Sequence, residues 1–223
     1  MGDRITPRQF HESPGVEEWR VLGEGACTFF RTSSFAASAM FVQAISALPA
    51  SEHSPDIDIR GDGVTVRLIT ITDDYFGMSR SDVELARQIS AVAREQGLSG
   101  DAAAVQTLLV IPGAPVVADV LPFWRAALGY QPRGDSPDED LVDPHSRGPA
   151  FWFESMNEPR PDGGGAVHVA LYVPYDQADA RIAAAQAAGG RMVRDQFAPA
   201  WWTLADAAGN EIDIASAGSP ARS

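Results

Sequence analysis

The sequence predicts an α+β protein of two domains, in which a sandwich of helices on one face of an antiparallel sheet precedes a duplicated βαβββ domain. Three observations predict it. Roughly the first hundred residues alternate strand pairs with helices, about the last 120 carry one pattern twice, and the small, polar stretch 98–104 separates them as a linker. A chain of 223 residues is long enough for two domains, expected over 1–97 and 105–217.

The first domain is predicted from alternation, helical periodicity and capping residues. In order, the predicted elements are a hairpin over 19–32, a helix over 35–48, strands over 56–60 and 64–72, and a helix from about 80 to 97. Ser34 can cap the first helix and Pro49 ends it. Ser79 and Asp82 have the spacing of a capping box, which predicts the start of the second helix.

The second domain repeats a strand, a helix and three strands. The opening strands are 105–108 and 167–170, the helices 117–128 and 178–188, and the closing strands 151–154 and 210–213. Because duplicated units usually pair, we expect a curved eight-stranded sheet with helices outside and a concave inner face. Equivalent positions then converge in one cavity: Gln106, Glu154, His168 and Glu211.

Strand parity predicts the walls of that cavity. In the run Glu211-Ile212-Asp213-Ile214 the two acids share one face and the two isoleucines the other. Trp152 flanks Glu154, Tyr172 shares the face of His168, and Trp202 can add a wall. We therefore expect an aromatic cavity with a carboxylate-rich floor, in which substrate contacts Trp152, Tyr172, Trp202 and Asp213.

Composition excludes several kinds of chemistry. All 17 basic residues are Arg, so Schiff bases, pyridoxal phosphate and a phosphate-loop lysine are excluded, and no nucleotide is expected. The net charge of −13 argues against nucleic acid. The single cysteine, Cys27, excludes multi-cysteine metal sites and is expected in a strand core. Without an apolar span or signal sequence, a cytoplasmic protein that binds no membrane is expected.

The run from Glu52 to Ile57, Glu-His-Ser-Pro-Asp-Ile, resembles the pterin-4a-carbinolamine dehydratases, and the resemblance covers about residues 5–97. That family shows Glu-His-His-Pro-Asp, a later Thr-His pair and an Asp that opens the last helix. Here His53 is kept and Asp82 matches the helix Asp, but Ser54 replaces the second His and the Thr-His pair aligns with Thr70-Ile71. The resemblance implies acid-base removal of a 4a-hydroxyl by His53, in a degenerate site that has lost two of three imidazoles.

The second domain resembles the vicinal-oxygen-chelate superfamily, which includes the glyoxalases, over about residues 104–216. Its ligands come from both opening and both closing strands, and the run from Asp206 to Glu211 resembles the superfamily's Asp-x-x-Gly-Asn-Glu approach to the last ligand. The resemblance implies a divalent ion (Zn, Ni, Co, Mn or Fe) held by Gln106, Glu154, His168 and Glu211, with Glu154 or Glu211 as the catalytic base.

Three functions stay open on the sequence. The first is a lyase or isomerase that acts on a small oxygenated metabolite in the second domain with the help of the metal. The second is a 4a-hydroxytetrahydropterin dehydratase that uses His53, and the third is a binding or resistance protein that holds an aromatic molecule between Trp152 and Trp202. A homo-oligomer is compatible with both resemblances. His11 and His145 lie in turn-like contexts and are expected in solvent.

Overall fold

A computed structural model describes residues 3–23, 25–49, 54–156, 167–205 and 211–218. The chain forms two compact units. The first comprises Met1–Gln106 with Pro174–Asp176 and Ala217–Ser223, and the second comprises Thr107–Val173 with Gln177–Ser216. Among the described residues, no helix has both the length and the apolar character needed to cross a membrane. Both units mix helices with sheets, which confirms the α+β class.

The described residues of the first unit form short strands and three helices. Its elements are β1 (Arg4–Ile5), α1 (Pro7–His11), β2 (Arg20–Leu22), β3 (Gly25–Arg31), α2 (Phe35–Ser46), β4 (Asp56–Arg60), β5 (Gly63–Leu68), β6 (Thr70–Thr72), β7 (Tyr75–Ser79), α3 (Arg80–Glu95), β8 (Gly100–Asp101) and a 3-10 turn (Ala102–Ala104). One sheet has the order β2-β3-β5-β4 with β8 on β3, and a second has the order β1-β7-β6.

The core of the first unit lies between its larger sheet and the helices. Trp19, Phe30 and Phe41 are fully buried, and the Phe30 and Phe41 rings are 4.9 Å apart. The Trp19 indole N–H donates to Ser90 Oγ of α3 at 3.0 Å, so its one polar group is satisfied. Val64 and Val66 lie two residues apart on β5, and both enter the same core.

Most predicted elements of the first unit form with small shifts at their ends, but the predicted strand 64–72 divides into β5 of the larger sheet and β6 of the smaller one. Ser34 Oγ accepts from the Ala37 N–H, and α2 ends at Ser46, short of the predicted Leu48. Ser79 and Asp82 form the predicted capping box. The predicted linker differs, because Gly100–Asp101 pairs with Phe29 and Phe30 as β8 of the first sheet.

The second unit is built around one sheet. Its elements are β9 (Thr107–Ala114), α4 (Val117–Leu128), β10 (Gln131–Pro132), β11 (Asp140–Val142), β12 (Ala150–Trp152), β13 (Glu154–Ser155), β14 (Val167–Tyr172), α5 (Ala178–Ala187), β15 (Arg191–Arg194), β16 (Trp201–Ala205) and β17 (Glu211–Ala215). The strand order is β10-β11-β12-β9-β14-β17-β16-β15, with β13 also on β9. Both segments of the unit run from a strand through a helix to further strands, while the duplication itself stays a prediction.

The helices of the second unit pack on one face of this sheet. Leu171, Val173 and Ile214 form an apolar cluster with Ala178 and Ile182 of α5. A second cluster joins Leu141, Phe151 and Phe153 to the apolar side of α4 and to Val110 of β9. The alternate residues of these strands are therefore left for the other face.

Candidate functional site

The face of the second sheet away from α5 carries a cavity of about 420 Å³. His168, Ala170 and Tyr172 line it from β14, and Asp213 and Ala215 line it from β17. Ile212 and Ile214 point to the helix side, where they pack with the apolar cluster around α5. The predicted separation of acids and isoleucines on β17 is confirmed, because successive side chains of a strand alternate between faces.

A hydrogen-bonded chain of three side chains forms the polar floor of the cavity. His168 Nε2 lies 3.3 Å from Asp213 Oδ2, and Thr203 Oγ1 donates to Asp213 Oδ1 at 2.5 Å. β14 and β17 are parallel neighbours, and Thr203 pairs with Asp213 across β16 and β17. Asp213 is only 8% exposed, so its charge depends on these two partners.

The pKa of Asp213 shows that the carboxylate is held in its charged form. Burial alone would raise this pKa, but the hydrogen bonds from His168 and Thr203, together with the charges of His168 and Arg194, lower it below its usual value. With Asp213 charged, Nε2 is the ring nitrogen that donates to it, which leaves Nδ1 as the nitrogen that can take up a proton.

Glu211, the predicted last metal ligand, is paired with an arginine. Arg194 Nη2 donates to Glu211 Oε2 at 2.7 Å, and the Glu211 side chain is 7% exposed. Arg194 reaches this position through a bulge, since Met192 pairs with Leu204 and Arg194 with Thr203, which leaves Val193 as an extra residue. Arg194 lines the cavity, whereas the sequence alone gave no sign of the bulge.

The four predicted metal ligands do not assemble as expected. Gln106 precedes β9 and stands five positions before Ile111, the residue that pairs with His168. Glu154 pairs with Gly113 on the other side of β9 and lines the cavity as an exposed carboxylate. Within the described ranges, no three His, Cys, Asp or Glu side chains form a group that could hold a metal ion.

The donor set therefore does not fit a divalent cation as predicted. A guanidinium already holds Glu211, and a cation beside it would meet a fixed positive charge at short range. His168 contacts Asp213 instead, and Gln106 lies five positions along the chain from Ile111, the residue that pairs with His168. The structure brings together His168, Asp213 and Glu154 around the cavity, with Arg194 beside them.

Aromatic rings form the walls of the cavity. The Trp152 and Tyr172 rings are 6.3 Å apart in an edge-to-face arrangement. Phe197 and Trp201 stack with their centroids 4.3 Å apart and are 43% and 37% exposed. Rings with this much open surface beside a cavity can stack on a planar guest.

The predicted position of Trp202 is corrected to Trp201. Trp202 pairs with Ile214 on the helix side and packs against the apolar cluster there, whereas Trp201 lines the cavity. The reason is parity, because Trp201 shares a face with Thr203, the residue opposite Asp213. The polar Thr203 next to an apolar Leu204 was the sequence signal that could have placed Trp201 correctly.

The predicted residues of the first unit are only partly described. Glu52 and His53 lie outside the described residues, as does the stretch from Asp206 to Asn210. Asp82 is 2% exposed and accepts hydrogen bonds from Thr70 Oγ1, the Ser79 N–H and Ser79 Oγ. These bonds use the carboxylate to cap α3, which is the structural role of a capping box.

The expectation that His11 lies in solvent is wrong. Its ring is half-buried in the first unit, where Nε2 accepts from the Val21 N–H at 2.9 Å and Nδ1 bonds the Gly218 carbonyl at 2.6 Å. The Tyr175 ring packs against it at a centroid distance of 5.0 Å. Both ring nitrogens are thus occupied by the backbone. His145 is exposed, as expected.

Comparison with known proteins separates the same two parts of the chain. Residues 3–92 match the family model for pterin 4 alpha carbinolamine dehydratase, and residues 109–215 match that for a glyoxalase-like domain. A protein of Roseiflexus sp. (strain RS-1), named "Putative pterin-4-alpha-carbinolamine dehydratase", is 33% identical over 94 residues, which are 41% of this chain and 99% of the relative.

Two solved structures are also similar to part of this chain. A glyoxalase/bleomycin resistance protein/dioxygenase superfamily member from Vibrio splendidus 12B01 is 13% identical with a TM-score of 0.34, over 49% of this chain and 97% of its own. A protein from Agrobacterium tumefaciens is 20% identical with a TM-score of 0.24, over 49% and 94%. From the sequence matches, the chain belongs to the pterin 4 alpha carbinolamine dehydratase family through its N-terminal residues, and a glyoxalase-like domain follows them.

Proposed function

We propose that the protein is a lyase or isomerase that moves a proton on a small oxygenated compound bound in the cavity of the second unit. The observation that carries the proposal is His168, whose imidazole lines the cavity while Asp213 holds its Nε2. Membership of a dehydratase family and the glyoxalase-like match support a lyase or isomerase type of reaction.

The arrangement supports acid-base catalysis by His168. With Asp213 accepting from Nε2–H, Nδ1 can take a proton from a carbon next to a carbonyl group, so the C–H bond breaks and an N–H bond forms. The charged Asp213 then stabilises the imidazolium. Return of that proton to a neighbouring carbon gives an isomerisation, and its delivery to a departing hydroxyl gives an elimination.

The divalent ion predicted from the sequence is not needed for this mechanism. It stays a separate prediction, tested by elemental analysis of protein never exposed to a chelator. If His168 and Glu211 hold an ion as the sequence predicts, His168→Ala and Glu211→Ala should each remove it, because loss of one ligand weakens a divalent site severely. An ion that remains in both variants lies elsewhere.

Hydrogen-deuterium exchange tests the proposed proton transfer. The probe is 1-indanone, a flat bicyclic ketone whose C2 protons are acidified by the carbonyl. In D₂O the protein is expected to accelerate loss of the C2 proton signals, followed by NMR. His168→Gln should lower this rate by about 10²- to 10⁴-fold, the usual contribution of a general base. Asp213→Asn should also lower it, because the imidazolium loses its counter-charge.

The control and the outcomes separate an enzyme from a binding protein. His145→Gln removes an exposed imidazole and should leave the exchange rate unchanged. Exchange that survives His168→Gln would disprove the assignment of the base. If 1-indanone binds but the wild-type protein does not accelerate exchange, the binding or resistance function predicted from the sequence is supported instead.

A second candidate is a tetrahydropterin dehydratase in the first unit. It is favoured by the match to the Roseiflexus relative over nearly its whole length. Against it, Ser54 and Ile71 stand where the family shows imidazoles, and Asp82 Oδ2 accepts the hydrogen bonds that cap α3. Turnover of a 4a-hydroxytetrahydropterin that is lost in His53→Ala and kept in His168→Gln would support this function.

A further inference from the structure

The bulge in β15 decides which face Arg194 occupies. Met192 packs in the apolar cluster behind the sheet, and its partner Leu204 is 1% exposed. The extra residue Val193 then brings Arg194 opposite Thr203, on the cavity face. Bulges that re-aim a side chain are frequent next to functional sites. A charged side chain has thus been placed at the cavity by a local irregularity of the backbone.

The ion pair with Glu211 fixes this arginine but does not use all of it. The bond joins one terminal nitrogen, Nη2, to Glu211 Oε2, and a guanidinium has five N–H donors. The Glu211 side chain is 7% exposed and that of Arg194 is 44% exposed, so the arginine extends from a buried anchor toward the open cavity. An arginine held in this way is pre-organised to donate to a guest.

The charges of the cavity restrict the kind of guest. Glu154 and Asp213 are acids, Arg194 is the one arginine among the described lining residues, and His168 is neutral or singly positive. These groups give no net positive charge, so a fully anionic ligand has little electrostatic advantage. An uncharged oxygen that accepts a hydrogen bond suits the guanidinium better.

We propose that Arg194 is the cavity's oxygen-binding residue and that the site takes a planar aromatic compound carrying an uncharged oxo group. This inference rests on the proposed function in placing the substrate in this cavity, and it names the class of substrate. The ring stacks on the walls formed by Trp152, Tyr172, Phe197 and Trp201, and the oxo oxygen accepts from Arg194. During proton transfer the same guanidinium stabilises the negative charge that develops on that oxygen.

Binding of two matched probes tests the assignment. 1-Indanone and indane share one bicyclic skeleton and differ in the carbonyl oxygen. Their dissociation constants are measured from the indole N–H signals of the tryptophans in ¹H–¹⁵N spectra. The wild-type protein is expected to bind 1-indanone about tenfold more tightly than indane, since a hydrogen bond from a charged donor is worth roughly that factor. Arg194→Gln should abolish the preference.

Two further variants keep the result interpretable. The double variant Arg194→Gln/Glu211→Gln removes both charges and leaves no buried carboxylate unpaired, and it should lose the preference as well. Arg191→Gln removes another arginine of β15 that is not among the lining residues, and it should keep the preference.

Each outcome bears on the proposal. Equal binding of the two probes by the wild-type protein, no binding of either at millimolar concentration, or equal weakening of both in Arg194→Gln would each overturn it. Tighter binding of indane-1-carboxylate than of 1-indanone would overturn the assignment of an uncharged oxygen. This test measures binding alone. A preference for 1-indanone without deuterium exchange would therefore contradict the proposed proton transfer and still support the role of Arg194 in binding oxygen.

Discussion

The two units differ in how their buried polar groups are used. In the first unit, Asp82 is enclosed and accepts from Thr70 and from both the backbone and the side chain of Ser79, at 2.7 to 3.0 Å. In the second unit, Asp213 is also buried and has two partners, but one of them, His168, lines a cavity and has a second ring nitrogen. The first cluster is closed, and the second is open on one side.

The closed cluster is expected to contribute to the stability of the fold, and the open cluster is the one that can react with a bound molecule. A polar group whose hydrogen bonds are all made inside the protein contributes to the free energy of unfolding, and its removal leaves buried donors without partners. A group with remaining capacity at a cavity can act on a guest. The first unit, which matches the pterin 4 alpha carbinolamine dehydratase family, therefore contains the closed cluster, and the glyoxalase-like unit contains the open one.

Removal of the closed cluster is expected to have the largest effect on stability. Asp82→Ala should lower the free energy of unfolding by about 3 kcal/mol, because it leaves the Ser79 N–H without its acceptor, takes one of two acceptors from the Thr70 hydroxyl and breaks the capping box of α3. Denaturant unfolding measures the change. Glu84→Ala on the exposed side of the same helix should stay within about 0.5 kcal/mol of wild type. A small effect of Asp82→Ala would mean that the cluster is not closed.

The adjacent tryptophans of β16 test the two faces of the second sheet. Trp202 packs against the apolar cluster, so Trp202→Ala should cost about 2 kcal/mol of stability. Trp201 faces the cavity, so Trp201→Ala should cost under about 1 kcal/mol but weaken binding of 1-indanone roughly tenfold. Denaturant melts and NMR titrations of both variants give the comparison. The reverse pattern would restore Trp202 as the cavity wall.

Much of this organisation could be predicted from local sequence. The capping box at Ser79 and Asp82 depends on a spacing of three, and the faces of Glu211 to Ile214 depend on the period of two, so both follow from neighbouring residues. The two-residue period also places Trp201 on the cavity face, once Thr203 is recognised as a cavity residue.

The remaining features depend on irregular or distant geometry. The bulge at Val193 adds one residue to a strand pair, and no residue type in Arg191–Arg194 marks it, so the position of Arg194 could not be predicted. The register of β9 and β14 places Ile111, and not Gln106, opposite His168, and register is a property of two strands far apart in sequence. These two features pair Glu211 with Arg194 and keep Gln106 away from His168.

His11 and His168 allow the most specific test of the comparison between the two units, and its expected effect is the smallest. His11 resembles the closed cluster, since Val21 donates to Nε2 and Nδ1–H donates to Gly218, whereas Nδ1 of His168 has no partner among the described residues. Desolvation by burial lowers the pKa of His11 below 6.5, and the charge of Arg20 lowers it further, against the opposing effect of the Gly218 carbonyl. Protonation places a hydrogen on Nε2 and breaks the bond from Val21.

The sign of the resulting pH dependence follows from that lowered pKa. Well above pH 6.5 the ring is neutral in both the folded and the unfolded chain, so its contribution to stability is complete. As the pH falls from 6.5 through the lower folded-state pKa, the unfolded chain takes up the proton first. Stability is therefore lost, by about 1 kcal/mol for the loss of one hydrogen bond.

His11→Gln keeps an acceptor for Val21 and does not titrate, so its unfolding midpoint should fall less than that of wild type between roughly pH 7.5 and 5.5. His145→Gln should follow wild type, because His145 is exposed. If His11→Gln also follows wild type, the ring of His11 is not closed off from solvent, and the distinction between the two histidines fails.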